Sequence, residues 1–224
     1  MLEKLLTYER GAFLWLNGSH NAFWDNFMSL YSGQVVWIPV TLFLLFILCY
    51  KTNWKESLLI LLSLVLIIVL CDQLSSSICK PYFLRYRPTH HPDFMDVVKT
   101  VNDYRGGDYG FISGHAANAF GFATFSLLLF RYRLYTVSIL GWSTLMAYSR
   151  IYLGVHFISD IVPGALSGII FGFLIFKLYV AVRRKLMKTN EKPNVIFTNF
   201  SKNMLLSVLY ATIIFMLIYS YFRL

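Results

Sequence analysis

The sequence predicts an all-α integral membrane protein, a six-helix bundle with an amphipathic interfacial segment at its amino terminus. Of its 224 residues, 57% are hydrophobic and 14% are charged, and the mean hydropathy is +0.58. Soluble domains carry roughly 45–50% apolar and about 25% charged residues, so lipid is the main solvent expected here. Open strands are excluded because lipid cannot hydrogen-bond to their edges.

The amino-terminal segment, residues 1–25, sets apolar side chains such as Phe13 and Trp24 among charged ones. This pattern predicts an amphipathic helix pair that lies in the membrane interface. A cleaved signal peptide is not expected, because Glu9 and Arg10 interrupt the apolar run.

The remainder, residues 26–224, holds long stretches with few charges, each near the roughly 20 residues that cross a bilayer. We predict six spans, with Lys177 snorkelling to the interface at the end of the fifth. The spans are 26–50, 57–77, 111–130, 134–153, 158–182 and 203–222. The loop at 78–110 exceeds the usual connection length and is expected to carry function.

Charge sets the predicted orientation. With six spans, three loops on one side hold ten basic residues against Glu56 and Glu191, so that side is expected to be cytoplasmic. The ten are Lys51, Lys55, Arg131, Arg133, Arg183, Arg184, Lys185, Lys188, Lys192 and Lys202. The net charge of +9 comes from such short tracts, which favours a membrane surface over nucleic acid. A small bundle with a basic cytoplasmic face indicates a bacterial inner membrane.

The cysteines are odd in number, and no disulfide framework or metal cluster is predicted from them. They are Cys49, Cys71 and Cys79.

Three polar clusters fall at the outer ends of the predicted spans, where ionisable groups indicate function. They are Lys80 with Arg85, Arg87 and Pro88; Ser113-Gly114-His115; and Ser149-Arg150 with His156 and Asp160. Cations, imidazoles and a helix start together suit a phosphate.

Each cluster has a chemical reading. Ser113 is placed to cap a helix whose free amides bind an anion, and Gly114 permits close approach of the backbone. His115 in the first turn is placed to protonate a leaving oxygen. Asp160, four residues after His156, is placed to orient that imidazole as a nucleophile or base. Spacing alone leaves open which histidine is the nucleophile.

The positive charges make a metal unnecessary. Lys80, Arg87 and Arg150 suffice to neutralise a phosphate and its transition state, so neither a metal nor another cofactor is predicted. The outer acids are scattered through the loop and are expected to be solvated: Asp93, Asp96, Asp103 and Asp108.

These residues resemble the type 2 phosphatidic acid phosphatase superfamily, whose pattern is Lys-x6-Arg-Pro, Pro-Ser-Gly-His and Ser-Arg-x5-His-x3-Asp. The matching positions are Lys80-x6-Arg87-Pro88, Ser113-Gly114-His115 and Ser149-Arg150-x5-His156-x3-Asp160. Ile112 replaces the usual proline, and a local loop adjustment is expected there. The superfamily also includes soluble vanadate-dependent haloperoxidases, which use the same pocket to hold vanadate. The apolar composition argues against that activity here, because those enzymes lack six membrane spans.

The resemblance implies that His156 attacks phosphorus to form a phosphohistidine, oriented by Asp160, while His115 protonates the leaving oxygen and later activates water. It implies that the nonbridging oxygens are held by Lys80, Arg87, Ser113, Gly114 and Arg150.

The substrate implied is a lipid phosphate or pyrophosphate on the periplasmic face. Undecaprenyl pyrophosphate and lipid A lead, followed by phosphatidylglycerophosphate and phosphatidate. A noncatalytic lipid-phosphate binder and a transporter remain alternatives, although a transporter favours polar breaks near the midplane. The oligomeric state is open.

Several further polar residues have two possible roles. Loop residues that could contact the headgroup or only pack are Tyr82, Arg85, Tyr86, His90, His91 and Arg105. Asp72 and Gln73 could bond to motif residues or join two helices. His20 is expected to be interfacial.

Overall fold

A computed structural model describes residues 2–50, 52–191, 193 and 196–223, so Lys51 and Lys192 of the basic set lie outside the described residues. Helices dominate, and the described chain contains no strand beyond a single bridge between Tyr86 and Tyr109, which confirms the all-α prediction. The helices are α1 (Leu2–Gly18), α2 (Ala22–Ser32), α3 (Ile38–Cys49), α4 (Trp54–Asp72), α5 (Lys80–Phe83), α6 (Gly114–Phe130), α7 (Arg133–Tyr152), α8 (Ile158–Met187) and α9 (Asn199–Phe222). A 3₁₀ turn, Val35–Trp37, joins α2 to α3, and a π-helical stretch, Gln73–Cys79, joins α4 to α5.

Among the described residues, three continuous helical stretches are long and apolar enough to cross a bilayer: Trp54–Phe83, Ile158–Met187 and Asn199–Phe222. A fourth candidate is the bent pair Ala22–Ser32 and Val35–Cys49, whose arms meet at 68°. Helix α6 is apolar but shorter, with 17 residues. The chain is a membrane protein, and the count of six spans stays a prediction.

The bend corrects the expectation of an unbroken first span over 26–50. The helix begins earlier, at Ala22, because the side chain of Asn21 accepts a 2.9 Å hydrogen bond from the amide of Trp24. It ends at Ser32, since the following Gly33 has an extended backbone, and Pro39 favours the start of a new helix. The predicted interfacial pair within residues 1–25 is therefore α1 and the first residues of α2.

Other boundaries also move. The helical stretch that contains the second predicted span, 57–77, runs over 54–83 through the π-helical stretch, and the helix that contains the fifth, 158–182, runs to Met187. The irregular part of the predicted 78–110 loop therefore begins after Phe83.

Helices α6 and α8 approach each other closely because α8 carries a row of glycines where it meets α6. A Cβ on Gly164 would lie 2.6 Å from the carbonyl oxygen of Ser113, and one on Gly172 would lie 2.6 Å from that of Gly121. Gly168, between them, faces the carbonyl of Ala117. Small residues at four-residue spacing let helix backbones touch in membranes. This contact brings the starts of α6 and α8 together.

Helix α1 is docked onto the bundle. Phe13 is fully buried against Phe94 and Phe157, with ring centroids 5.8 and 5.1 Å away. The buried amide of Asn17 donates to the carbonyls of Lys99, Ile151 and Tyr152 at 3.0, 3.2 and 2.9 Å. These contacts fix α1 beside the start of α8.

Candidate active site

The site is formed where α6 and α8 begin, α7 ends, and the loop after α5 folds over them. Ser113 is the N-cap of α6, as predicted, and its hydroxyl accepts from the amide of Ala116 at 3.4 Å. The loop returns at a short antiparallel pairing, in which Arg87 donates its amide to Asp108 and Gly110 donates to Arg85, both at 2.9 Å.

His156 and Asp160 lie together, but not on one helical face as expected. His156 precedes α8, which begins at Ile158, while Asp160 occupies the first turn and accepts from the amide of Phe157 at 3.0 Å. The carboxylate thereby caps the helix and still faces the imidazole. Nδ1 of His156 lies 3.4 Å from Oδ2 of Asp160, a charge contact without hydrogen-bond geometry. Both side chains are buried.

The other imidazole nitrogen faces a cation. Arg87 donates from Nη1 to Nε2 of His156 and to the carbonyl of Val155, each at 3.0 Å. A guanidinium has no acceptor, so Nε2 carries the lone pair and Nδ1 carries the proton. Burial first, and then the charges of Arg87, Arg150 and Lys80, hold the pKa of His156 well below its usual range. The hydrogen bond and the lowered pKa both favour a neutral imidazole whose unprotonated nitrogen, Nε2, faces Arg87.

The cations converge around this imidazole. Arg87 and Arg150 are 8% and 3% exposed, and the Nε atom of each has no hydrogen-bond partner in the described chain. Burial and the nearby Arg150 lower the pKa of Arg87. Buried like charges with unused donors are stabilised by an anion. Lys80, partly buried, bonds to Ser76 at 3.5 Å.

Arg150 is held by two residues that the sequence motifs do not reveal. It donates to the hydroxyl of Ser32 in α2 and, at 3.2 Å, to the phenol of Tyr104. Burial raises the pKa of Tyr104, but the charge of Arg150 and its hydrogen bond, with Arg87, outweigh that effect and lower it. No linear spacing links these residues to Arg150, so only the fold brings them together.

His115 stands in the first turn of α6, partly buried and within electrostatic range of Arg150 and His156. Gly114 precedes it, and a Cβ there would lie 3.2 Å from the hydroxyl of Ser75. Gly110 also leaves room for a neighbour, since a Cβ there would lie 2.9 Å from Oδ2 of Asp160. All eight predicted site residues thus lie at the same end of the bundle.

Among the residues that could contact the headgroup or only pack, Arg85 packs. It is 2% exposed and donates to Asp160 at 2.7 Å and to Glu9 at 3.0 Å, so it lies behind the site. His91 is also buried, whereas Tyr82, Tyr86 and Arg105 are exposed. His90 is partly buried and contacts Thr89 at 3.1 Å.

The remaining polar residues act within the fold. Asp72 accepts from Asn118 at 2.9 Å and so joins α4 to α6. His20 stacks on Tyr152 and pairs with Asp25 at 2.9 Å. In the described part of the chain, His, Cys, Asp and Glu side chains form no group of three or more arranged to hold a metal ion.

The helical fold holds a cluster of buried and partly buried cations beside two histidines, a set of side chains suited to binding and cleaving a phosphate. A family model described as the PAP2 superfamily matches residues 56–184, more than half of the chain. The chain belongs to this superfamily, which confirms the resemblance seen in the motifs.

Relatives support the same assignment. The chain is 47% identical over 184 residues to a lipid A 4'-phosphatase of Porphyromonas gingivalis, which covers 82% of this chain and 78% of that protein. It is 37% identical over 194 residues to a lipid A 4'-phosphatase of Bacteroides thetaiotaomicron, covering 86% of each. It is 31% identical over 150 residues to an undecaprenyl-diphosphatase of Sulfolobus acidocaldarius, covering 66% of each. The prediction of a phosphatase is confirmed.

Two crystal structures share the fold. LpxE of Aquifex aeolicus superposes with a TM-score of 0.57 at 26% identity, covering 75% of this chain and 93% of that one. A PAP2-type phosphatidylglycerolphosphate phosphatase of Bacillus subtilis superposes with a TM-score of 0.61 at 18% identity, covering 81% and 89%.

Proposed function

We propose that this chain removes phosphate from a membrane lipid without a metal ion, through a phosphohistidine formed at His156. One observation carries the proposal: the buried, neutral imidazole presents Nε2 at 3.0 Å from the guanidinium of Arg87, with Asp160 at 3.4 Å from Nδ1. A nitrogen lone pair beside a buried cation is placed where a phosphate is both attracted and attacked.

In the free protein, Nε2 of His156 accepts a hydrogen bond from Arg87. In the first step, the substrate phosphate accepts this hydrogen bond in place of Nε2. The released lone pair of His156 then attacks phosphorus, and the bond from phosphorus to the lipid oxygen breaks as the new P–N bond forms. The bound phosphate offsets the surrounding cations and lets His115 carry a proton, which His115 gives to the leaving oxygen. Asp160 stabilises the charge that develops on the imidazole, whose proton stays on Nδ1.

In the second step, the now neutral His115 takes a proton from water. The water oxygen attacks phosphorus, the P–N bond breaks, and inorganic phosphate leaves while His115 is again protonated. In both steps, Lys80, Arg87 and Arg150 neutralise the charge on the nonbridging oxygens, and the free amides at the start of α6 add to this.

The substrate we place first is a phosphate of lipid A, supported by the two lipid A 4'-phosphatase relatives. Undecaprenyl pyrophosphate is the second candidate, supported by the diphosphatase relative at 31% identity. Phosphatidylglycerophosphate and phosphatidate follow. All four are anionic lipids whose phosphate sits at the bilayer surface, at the depth of a site formed by helix ends.

We place the site on the periplasmic side of a bacterial inner membrane. The support is charge: the helix ends away from the site adjoin Arg131, Arg133 and the basic run Arg183–Lys185. Basic residues concentrate on the cytoplasmic side.

The test is phosphate release by the detergent-purified protein in excess chelator. The substrates are lipid A, undecaprenyl pyrophosphate, phosphatidylglycerophosphate and phosphatidate, with mass spectrometry to locate the phosphate lost from lipid A. The variants are His156→Ala and, as a histidine control outside the site, His20→Gln. We expect chelator-resistant release of a lipid A phosphate that only His156→Ala abolishes. Turnover that survives in His156→Ala, or that requires an added metal, would overturn the proposal.

A further inference from the structure

A carboxylate from α1 reaches the back of the site. One oxygen of Glu9 accepts from Nη2 of Arg85 at 3.0 Å, and the other accepts from the amide of Ser159 at 2.8 Å. The hydroxyl of Ser159 donates to the same carboxylate. The Glu9 side chain is 11% exposed although α1 lies at the edge of the bundle. Four residues after Glu9, Phe13 is fully buried and anchors this turn.

Arg85 transmits this contact to the catalytic pair. Its Nη1 donates to Oδ1 of Asp160 at 2.7 Å, and the two side chains are 1% and 0% exposed. The guanidinium also lies over the ring of Phe157, 5.0 Å from its centroid. The other oxygen of Asp160 faces Nδ1 of His156 at 3.4 Å. Glu9 thus contacts Arg85, Arg85 contacts Asp160, and Asp160 contacts His156.

The geometry explains what Glu9 adds. A guanidinium is a rigid planar fork, so fixing one of its nitrogens fixes the direction of the others. Glu9 holds Nη2 of Arg85 and is itself tied to the first turn of α8 through Ser159. Asp160 belongs to the same turn. Arg85 therefore cannot shift relative to Asp160 unless the Glu9 contacts break.

Glu9 also changes the net charge behind the imidazole. Without Glu9, Arg85 and Asp160 would neutralise each other and leave the pocket with the surplus of Arg87, Arg150 and Lys80. With Glu9, this buried group carries one net negative charge behind the imidazole. A buried carboxylate is costly unless it is paired and hydrogen-bonded, and Glu9 has both kinds of partner.

We propose that Glu9 is a positioning residue for catalysis, acting through Arg85 to hold Asp160 against His156. Helix α1 is then part of the catalytic unit and not only an interfacial segment. The inference rests on the proposed function of His156, and it assigns to the amino-terminal helix a role that no active-site motif contains.

The effect of Glu9 on the protonation of His156 depends on all the charged groups around the imidazole. The loop contributes Arg87 and Tyr104, α5 Lys80, α6 His115, α7 Arg150, α8 Asp160, and α1 Glu9 through Arg85. Glu9→Gln removes one negative charge and retains the size of the side chain. The imidazolium form of His156 then loses stabilisation, so its pKa falls further.

The kinetic test compares Glu9→Gln with wild type and with Asp96→Asn, which removes an exposed loop carboxylate and serves as the charge-matched control. We expect kcat to fall about 10- to 100-fold in Glu9→Gln, as for a displaced nucleophile, with little change in KM. The acidic limb of the kcat/KM profile shifts to lower pH. Asp96→Asn retains wild-type values. An unchanged kcat and profile in Glu9→Gln would overturn the inference.

A second comparison tests whether Glu9 acts through Arg85. In the cycle of Glu9→Gln, Arg85→Lys and the double variant, we expect the losses to be non-additive, because both substitutions break one chain of contacts. Additive losses would overturn the transmission through Arg85.

A third readout separates this inference from the proposed function. In the protein labelled with nitrogen-15 histidine and assigned with His156→Gln, Glu9→Gln is expected to shift the nitrogen-15 resonances of His156 at neutral pH, without any substrate, because Asp160 moves relative to Nδ1. If wild type fails to turn over lipid phosphates but this shift occurs, the proposed function fails while the contact chain stands. No shift would contradict the chain even in an active enzyme.

Discussion

The amide of Ser113 donates a 3.0 Å hydrogen bond to the backbone carbonyl of Asp160, which links the start of α6 to the start of α8. This bond joins the helix that carries His115 to the helix whose first turn faces His156. It forms because the glycine row of α8 lets the two backbones approach. The relative position of the two histidines is thus set by helix packing as much as by the motifs.

The glycine row predicts a packing defect. In Gly168→Ala, the new methyl group overlaps the carbonyl oxygen of Ala117, and the helices must separate. We expect a loss of about 1–3 kcal/mol or more in the free energy of unfolding, with a lower Tm in detergent. Gly141→Ala on α7, where a Cβ meets nothing within 4 Å, is the control and should gain about 0.5–1 kcal/mol. Equal melting of the two variants would argue against close packing of α6 on α8.

Arg150 is expected to be sensitive to a conservative change. Arg150→Lys retains the charge but loses the fork that contacts Ser32 and Tyr104 and the unused Nε donor. We expect kcat/KM for lipid A phosphate to fall about 10²- to 10³-fold, and inhibition by vanadate to weaken in parallel. Full activity in this variant would mean that Arg150 acts only as a charge. The control is Arg105→Lys in the exposed part of the loop.

The depressed pKa of His156 predicts a pH dependence of stability. As pH falls below about 6.5, the unfolded chain binds a proton at this histidine while the folded protein does not. Stability present above pH 6.5 is therefore lost on acidification, by about 1.4 kcal/mol per pH unit from this one group until the folded pKa is reached. Thermal unfolding between pH 7 and pH 5 should show a smaller loss in His156→Gln than in wild type. An identical loss would exclude this contribution.

The proposed orientation predicts which loops a membrane-impermeant thiol reagent reaches. In a background without Cys49, Cys71 and Cys79, Thr100→Cys on the site side should be labelled in cells whose outer membrane alone is permeabilised. Thr189→Cys, beyond α8 at the opposite end, should be labelled only after both membranes are opened. The reverse pattern would place the site in the cytoplasm.

The motif residues could be predicted because their chemistry is local. Ser113 caps a helix and Asp160 follows His156 at a short spacing, so the residues of the candidate phosphate site could be recognised from their order in the sequence. The pairing of Arg85 was not, since its partner Glu9 lies 76 positions away and the loop residue looked exposed. An ion pair between residues so far apart in the sequence produces no recognisable motif spacing.

The helices, too, could be predicted only in part from the sequence. Hydropathy located the apolar helices, but it treated 26–50 as continuous because Gly33 and Pro39 are compatible with membrane helices as well as with a bend. The α6–α8 contact did have a signal, the four-residue spacing of Gly164, Gly168 and Gly172, which a search for small-residue rows would have found.

The most direct test of the central claim is to trap the intermediate. Wild type, His115→Ala and His156→Ala would be mixed in chelator with lipid A labelled with phosphorus-32 and quenched in alkali within one turnover. We expect an acid-labile phosphate on the peptide that contains His156, retained longer in His115→Ala and absent in His156→Ala. Turnover at the wild-type rate with no phosphate bound to protein, or with the phosphate on His115, would contradict it.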